Sequence, residues 1–197
     1  MNVKVLRRKV KYPRIELKKG YPVLILPENS EKAEEIIEKH KNWIEKKLRF
    51  INDLKVKYKN RKIYKRDEKE FCKLIRKFIN EFEKKLQVEV KGIKLRQMKT
   101  KWGSCNKKGE ITLNTILKFL PPSLIKYVVF HEMVHLVIKK HNKGFWSYIK
   151  KEFNNPEKYE EKLLGYWFLI QSKPSLFYEF SKEKGVERFY PPLSLQD

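Results

Sequence analysis

YVVFHEMVHLVIKKH, residues 127–141, places three of the chain's four histidines within eleven positions of a largely apolar run. In an α-helix, residues four apart share a face, with Cβ atoms roughly 5–6 Å apart. His131 and His135 can therefore aim ring nitrogens at one divalent ion, at the about 2.0–2.1 Å typical of Zn²⁺ and imidazole. Glu132 comes about 100° further around the helix. There a carboxylate stands beside an activated water rather than serving as a ligand, as a general base does in metal-assisted hydrolysis. The structural alternative is that HExxH arises by chance and that its histidines are ordinary core residues. Against it, two imidazoles and a carboxylate inside YVVFHEMVHLVI are costly to bury unless a metal satisfies them.

A catalytic zinc site takes three protein ligands and leaves one position open. His141 is the leading third candidate. It lies six residues past His135, too far along an unbroken helix, so the chain must turn after about Ile138. Asn142 and Gly144 supply turn formers there. Spacings of four and ten from the first histidine match the metzincin pattern, but Ile138 replaces that pattern's glycine, so a different turn is expected.

Reading outward, Pro121, Pro122 and Ser123 open the apolar helix, which runs to about Lys139. Before it come a strand near 93–99, the tight loop KWGSCNKKG and the strand EITLNTIL. Phe71, Leu74, Ile75, Phe78, Ile79, Phe82 and Leu86 mark an amphipathic helix over 68–86. Residues 55–67 read as a basic loop with one short strand. A long helix from the N-cap Ser30 to about Asp53 carries a solvent-facing His40. The N-terminus reads as a strand pair, Val3 to Lys18 and Tyr21 to Leu26, turned at Gly20 into a hairpin. After the histidines come helices near 143–153 and 156–172. From Lys173 the tail is irregular, packed by Phe177, Tyr178 and Phe189.

With 197 residues and 41% hydrophobic content the chain can bury one sizeable core. Two cysteines, Cys72 and Cys105, make no disulfide framework, and a reducing, cytoplasmic setting is expected. The first residues lack a signal-type apolar run, and LLGYWFLI at 163–170 is too short for a bilayer, so no membrane association is expected. The net charge is +23, and residues 1–100 hold 31 Lys+Arg against 14 Asp+Glu. That excess reads either as a composition bias towards lysine, as in thermophile proteins, or as a nucleic-acid footprint in the N-terminal half.

The run KTKWGSCNKKGEITLNTILKFLPPSLIKYVVFHEMVHLVIKKHNKGFW closely resembles the YgjP-like metallopeptidase family, with kinship to SprT-like metallopeptidases. The shared elements are W-G-S-C, G-x-I-x-L-N, paired prolines, Y-V-V-x-H-E-x-x-H-L and a later H-x-x-x-F-W. The likeness extends weakly over nearly the whole chain. It implies one domain over 1–197, with an N-terminal hairpin and helix in 1–60 and a metal-binding core in 93–172. The implied fold is α+β and zincin-like: a small mixed sheet packed on a buried HExxH helix, with an N-terminal strand pair and long helix. The resemblance also implies His131, His135 and His141 as zinc ligands, Glu132 as the catalytic carboxylate and a peptide or protein substrate. Lys101 stands where the family usually has Arg, and Asn142 where it usually has Ser.

Three further residues have two readings each. Trp102 packs under the metal helix or lines the cleft rim. Ser104 belongs to a tight loop or offers its hydroxyl to substrate. Asn114 makes an internal hydrogen bond or sits on an edge strand to which a substrate peptide adds. Phe145 and Trp146 read as core anchors, and Cys105 as no ligand. The functions that remain open are a metallopeptidase, a zinc hydrolase of another electrophile such as a nucleotide phosphoanhydride, and a SprT-like protease working on nucleic-acid-bound proteins.

Overall fold

Pro13 divides the opening segment, because proline has no N–H to give a strand ladder. The computed structural model, which describes residues 3–18, 21–30, 32–98, 100–173 and 175–176, has two strands where one was expected: β1 (Lys4–Arg8) and β2 (Arg14–Lys18). The hairpin partner is β3 (Tyr21–Pro27), antiparallel to β2; β1 lies parallel on its other side, giving the order β1-β3-β2. As the middle strand, β3 buries Val23, Leu24, Ile25 and Leu26. The expected turn at Gly20 lies outside the described residues.

The long helix expected from Ser30 is two helices, α1 (Ala33–Lys39) and α2 (Lys41–Tyr58), joined at an exposed His40. Ser30 caps neither. Its N–H bonds the Pro27 carbonyl at 3.1 Å, and the N-cap position of α1, Lys32, makes no side-chain cap. Leu24, Leu26 and Ala33 form one core cluster, with Val3, Val5, Ile15, Ile36 and Ile37 packed against it. The helix α2 runs through part of the expected loop because Leu54 and Tyr58 continue the buried positions of Ile44 and Ile51. No strand occurs in residues 59–67. One compact unit ends at Lys59 and a second begins at Asn60.

The second unit starts with α3 (Glu68–Leu86), whose apolar stripe buries Phe71, Ile75, Phe78, Ile79 and Phe82. Asp67 caps it by accepting from the Glu70 N–H at 2.7 Å, and Gln87 ends it in the left-handed region at φ +53°. A mixed sheet follows, built of β4 (Gly92–Arg96), β5 (Gly103–Cys105) and β6 (Glu110–Asn114). Its order is β4-β6-β5, with β4 parallel and β5 antiparallel to β6. The tight loop expected at KWGSCNKKG thus contains a short edge strand. Beyond β6 the chain makes a 3-10 turn at Thr115–Phe119 rather than continuing as strand, since Asn114 Oδ1 accepts from the Ile116 N–H at 3.3 Å.

The apolar run forms α4 (Pro122–Val137), followed by α5 (Lys143–Glu152) and α6 (Pro156–Gln171). The buried residues of α4 include Leu124, Ile125, Tyr127, Val128, Val129, Phe130, Met133 and Val134, which occupy every side of the helix. Helix α4 packs against α3, α5, α6, β5 and β6, and a helix apolar all round belongs in a core. The result is the expected α+β architecture, with a mixed sheet on a buried HExxH helix. The predicted packing of Phe177, Tyr178 and Phe189 lies outside the described residues. No helix among the described residues is long and apolar enough to cross a membrane.

Candidate metal centre

Helix α4 ends at Val137 and Ile138 turns extended, at φ −128° and ψ 114°. That break brings His141 back towards the helix. Asn142 then caps α5, accepting from the Phe145 N–H at 3.0 Å. Gly144 is not a turn former but lies inside α5, where an added Cβ would come within 3.3 Å of Asn142 Oδ1 and Ile138 Cδ1. The turn and the cap are that close.

His141 Nε2 lies 3.0 Å from His131 Nε2 and 3.1 Å from His135 Nε2. The three ligand nitrogens all fall within 4.8 Å of one another. Two nitrogens on a tetrahedral Zn²⁺ are about 3.3 Å apart, from the usual Zn–N length, so the set has the right scale. The tautomers fit as well. His135 Nδ1 lies 3.1 Å from the Ile138 carbonyl; the carbonyl can only accept, so Nδ1 carries the proton and Nε2 presents a lone pair. A single ring nitrogen on His141 cannot donate to both neighbours. Lone pairs converge, and a cation is what satisfies them. Burial, together with the neighbouring His135 and His141, pushes His131 down to about 3. Burial lowers His135 and His141 too. Each shift favours the neutral form, the state in which imidazole binds metal. Phe145, fully buried, packs its ring against all three imidazoles with centroids 4.9, 4.7 and 4.7 Å away. It is a core anchor as read from sequence, and also the wall on which the three imidazoles rest.

Glu132 is 6% exposed, and no hydrogen bond from another described residue reaches its carboxylate. Burial pushes it up to about 8, with Lys101 pulling it down and Glu160 pushing it further up. A carboxylate that holds a proton near neutrality suits general acid–base work. A bound cation would draw that value downwards. Gly103 lies against it: a Cβ there would stand 2.6 Å from Glu132 Cγ. No side chain larger than hydrogen fits between β5 and this carboxylate.

The three other residues singled out from sequence fare differently. Trp102 is half-buried and meets the buried Trp167 of α6 edge-on at 5.1 Å, a packing contact with α6 rather than with the HExxH helix. Asn114 is fully buried on β6, the central strand, so the edge-strand reading is corrected. Its amide donates to the Met98 carbonyl at 2.9 Å and to the Lys101 carbonyl at 2.7 Å, holding the approach to β5. Ser104 sits on the edge strand. Asn106 and Asn114 backbone bonds to Glu110 and Trp102 set the ladder phase, so Ser104 bonds towards β6, and Gly103 and Cys105 aim N–H and C=O outward. Pleat alternation also turns the Ser104 side chain away from the face on which Gly103 meets Glu132.

Two residues of this neighbourhood had no role in the sequence reading. Tyr127, one turn before His131, donates its hydroxyl to Glu160 Oε1 at 2.6 Å. Its position four residues before a ligand was a usable signal. Glu160 gave none, being one acid in the run YEEK.

A family model described as "YgjP-like, metallopeptidase domain" matches residues 52–165. Among solved structures, the chain is similar to the metallopeptidase zymogen of Pyrococcus abyssi abylysin, at 21% identity and TM-score 0.43, over 46% of this chain and 91% of that one. It is also similar to the zymogen of Methanocaldococcus jannaschii jannalysin, at 25% identity and TM-score 0.41, over 46% and 87%. No curated protein matches.

Proposed function

The chain belongs to the YgjP-like metallopeptidase family, and on that premise we propose that it is a zinc peptidase with His131, His135 and His141 as ligands and Glu132 as general base. The observation that carries this reading is the convergence of three imidazole nitrogens within 4.8 Å of one another, two of them on the helix that also buries Glu132. Zinc is favoured by an all-imidazole set with room for an open position. When bound, the ion supplies Lewis acidity and brings a water's pKa towards neutrality. Glu132 accepts the proton of the attacking water and passes it to the leaving amine. His135 is held in its ligating tautomer by the Ile138 carbonyl, and Phe145 keeps the rings in place. Gly103, itself buried, and the half-buried Cys105 turn main-chain groups away from β6 on the outer edge of β5. An extended peptide or protein segment adds there as a further strand. The substrate edge is thus β5, not the strand of Asn114.

The test is Glu132→Gln in the zinc-loaded protein, assayed on casein and on nucleoside triphosphates. Loss of casein cleavage by at least about 10³-fold with metal content unchanged is expected. Casein cleavage that survives the substitution, or triphosphate hydrolysis that alone depends on Glu132, would overturn the peptidase reading.

A second reading concerns where the enzyme works. In the N-terminal unit Tyr12, Tyr21 and Trp43 are exposed at 67, 69 and 39%, and Lys11 and Lys47 stand over the Tyr12 and Trp43 rings at 5.2 and 5.7 Å. Exposed aromatics among lysines are the elements of a sequence-tolerant single-strand surface. Docking on nucleic acid near protein substrates follows from it, and anisotropy of a labelled oligonucleotide over a salt series checks it. Binding that does not weaken with salt would remove this reading.

A further inference from the structure

We propose that Lys101 and Lys139 form a cationic rim at the mouth of the histidine site that binds a carboxylate of the substrate, so that the preferred peptides carry an acidic group beside the scissile bond. This rests on the peptidase reading. The two lysines come from different segments, each within two residues of a group at the site. Lys101 is exposed, its carbonyl is pinned by the buried Asn114 amide at 2.7 Å, and two residues on Gly103 touches Glu132. Lys139 follows Ile138, whose carbonyl holds His135, and precedes the ligand His141 by two residues. Each backbone is therefore fixed by a contact of the site itself. His135 feels the charge of both, Glu132 that of Lys101 and Cys105 that of Lys139.

Neither lysine has an acidic partner among the described residues, and neither do Lys140 and Lys143, which flank His141. Some lysines of this unit do find carboxylates: Lys85 with Glu152, Lys94 with Glu110 and Lys126 with Glu81, at 2.8, 3.0 and 2.8 Å. Lysines 139 and 140 are well placed at the negative end of α4, which explains them without any function. Lys143 is not so explained. It stands in the first turn of α5, where there is no acidic residue and where the helix dipole disfavours a cation. A site whose nearby acids, Glu132 and Glu160, are both buried, and whose flanking lysines have no acidic partner among the described residues, attracts anions. On a peptidase whose substrate lies along β5, the fitting anion is a peptide carboxylate, from an Asp or Glu side chain or from a free C-terminus.

The zinc-loaded full chain is assayed on matched fluorogenic peptides that differ only by Glu or Gln next to the cleaved bond, and on a second pair with free or amidated C-terminus. At about 20 mM salt, kcat/KM for the acidic member should exceed the neutral one by about tenfold, falling towards parity at about 0.5 M. The double substitution Lys101→Met with Lys139→Met should erase the ratio, chiefly through KM, with the melting temperature unchanged. A ratio confined to the Glu pair assigns a side-chain carboxylate; one confined to the C-terminal pair assigns the terminus. Equal rates for both pairs, or a ratio that the double variant keeps, overturn the rim. Should no peptide be cleaved, the same pairs are titrated against zinc-loaded Glu132→Gln by anisotropy. Preferential binding of the acidic member then upholds the rim while the peptidase reading fails, and equal binding overturns the rim.

Discussion

Replacing Gly103 by alanine adds one methyl where there is no room for it. The new Cβ would stand 2.6 Å from Glu132 Cγ, 2.7 Å from Oε1 and 2.8 Å from Cδ. Ordinary carbon contacts lie at about 3.5–4.0 Å, so roughly 1 Å must be found. Gly103 is not among the positive-φ residues, so backbone strain does not enter and the cost is steric. Two responses are open. If β5 and α4 part, the overpacking costs about 1–3 kcal/mol, or roughly 2–12 °C in Tm for a chain of this size. If the Glu132 side chain yields instead, the base moves by about 1 Å and kcat/KM falls on the order of 10²-fold. Melting curves and peptide hydrolysis, measured on the same zinc-loaded preparation, see either response. The decisive control is the cycle with Glu132→Ala, which removes all three atoms in the clash. In that background Gly103→Ala should cost at least about 1 kcal/mol less than in the wild type. A Gly103→Ala protein with unchanged Tm and unchanged kcat/KM, or a cycle showing no coupling, would refute the reasoning.

Three other outcomes are expected. Asn114→Ala leaves the Met98 and Lys101 carbonyls without their buried donor and should destabilise by about 2–4 kcal/mol in thermal melts, whereas a substrate contact would raise KM and leave Tm alone. Zinc at a hundredfold excess over Kd should stabilise the chelator-treated protein by about 2.7 kcal/mol, a Tm gain of roughly 5–11 °C, and His141→Ala should abolish most of that gain. Burial raises Glu160 above its ordinary value, so its contribution to stability is full below about pH 4.5 and is lost as pH rises through the folded value; Glu160→Gln, still able to accept from Tyr127, should therefore melt increasingly above wild type as pH climbs out of the acid range, and parallel curves would count against this.

Helices α3 and α4 were legible almost to the residue because pattern and punctuation agree there. Asp67 caps one, Pro122 opens the other, and the apolar positions between them recur without interruption. The break at His40 was not legible, since no glycine or proline marks it and Ile36, Ile37 and Ile44 keep a helical rhythm across it. The strand β5 was invisible for another reason: a three-residue strand that meets the metal helix with a glycine offers no hydrophobic signal. Asn114 shows the same limit. Its identity was striking in sequence, but whether it faces a cleft or a core depends on which strand lies outermost, and that is decided by β5. The histidine cluster needed less context, because an i, i+4 pair and a third histidine just beyond a helix end are close in sequence, and the turn at Ile138 brings all three rings together.

The buried polar groups explain why the chain keeps α4 in its centre. Leucine at 132 would pack as well in an apolar helix and would avoid burying a carboxylate. Histidines whose lone pairs meet at 3.0 and 3.1 Å are likewise unfavourable by themselves. Both costs fall when a divalent cation occupies the point between the rings, since it attracts the lone pairs and lowers the proton affinity of Glu132. A cation held there would link folding and metal loading through one helix. The stability that the apolar circumference of α4 supplies is what allows its histidines to be held in a geometry that a cation would suit.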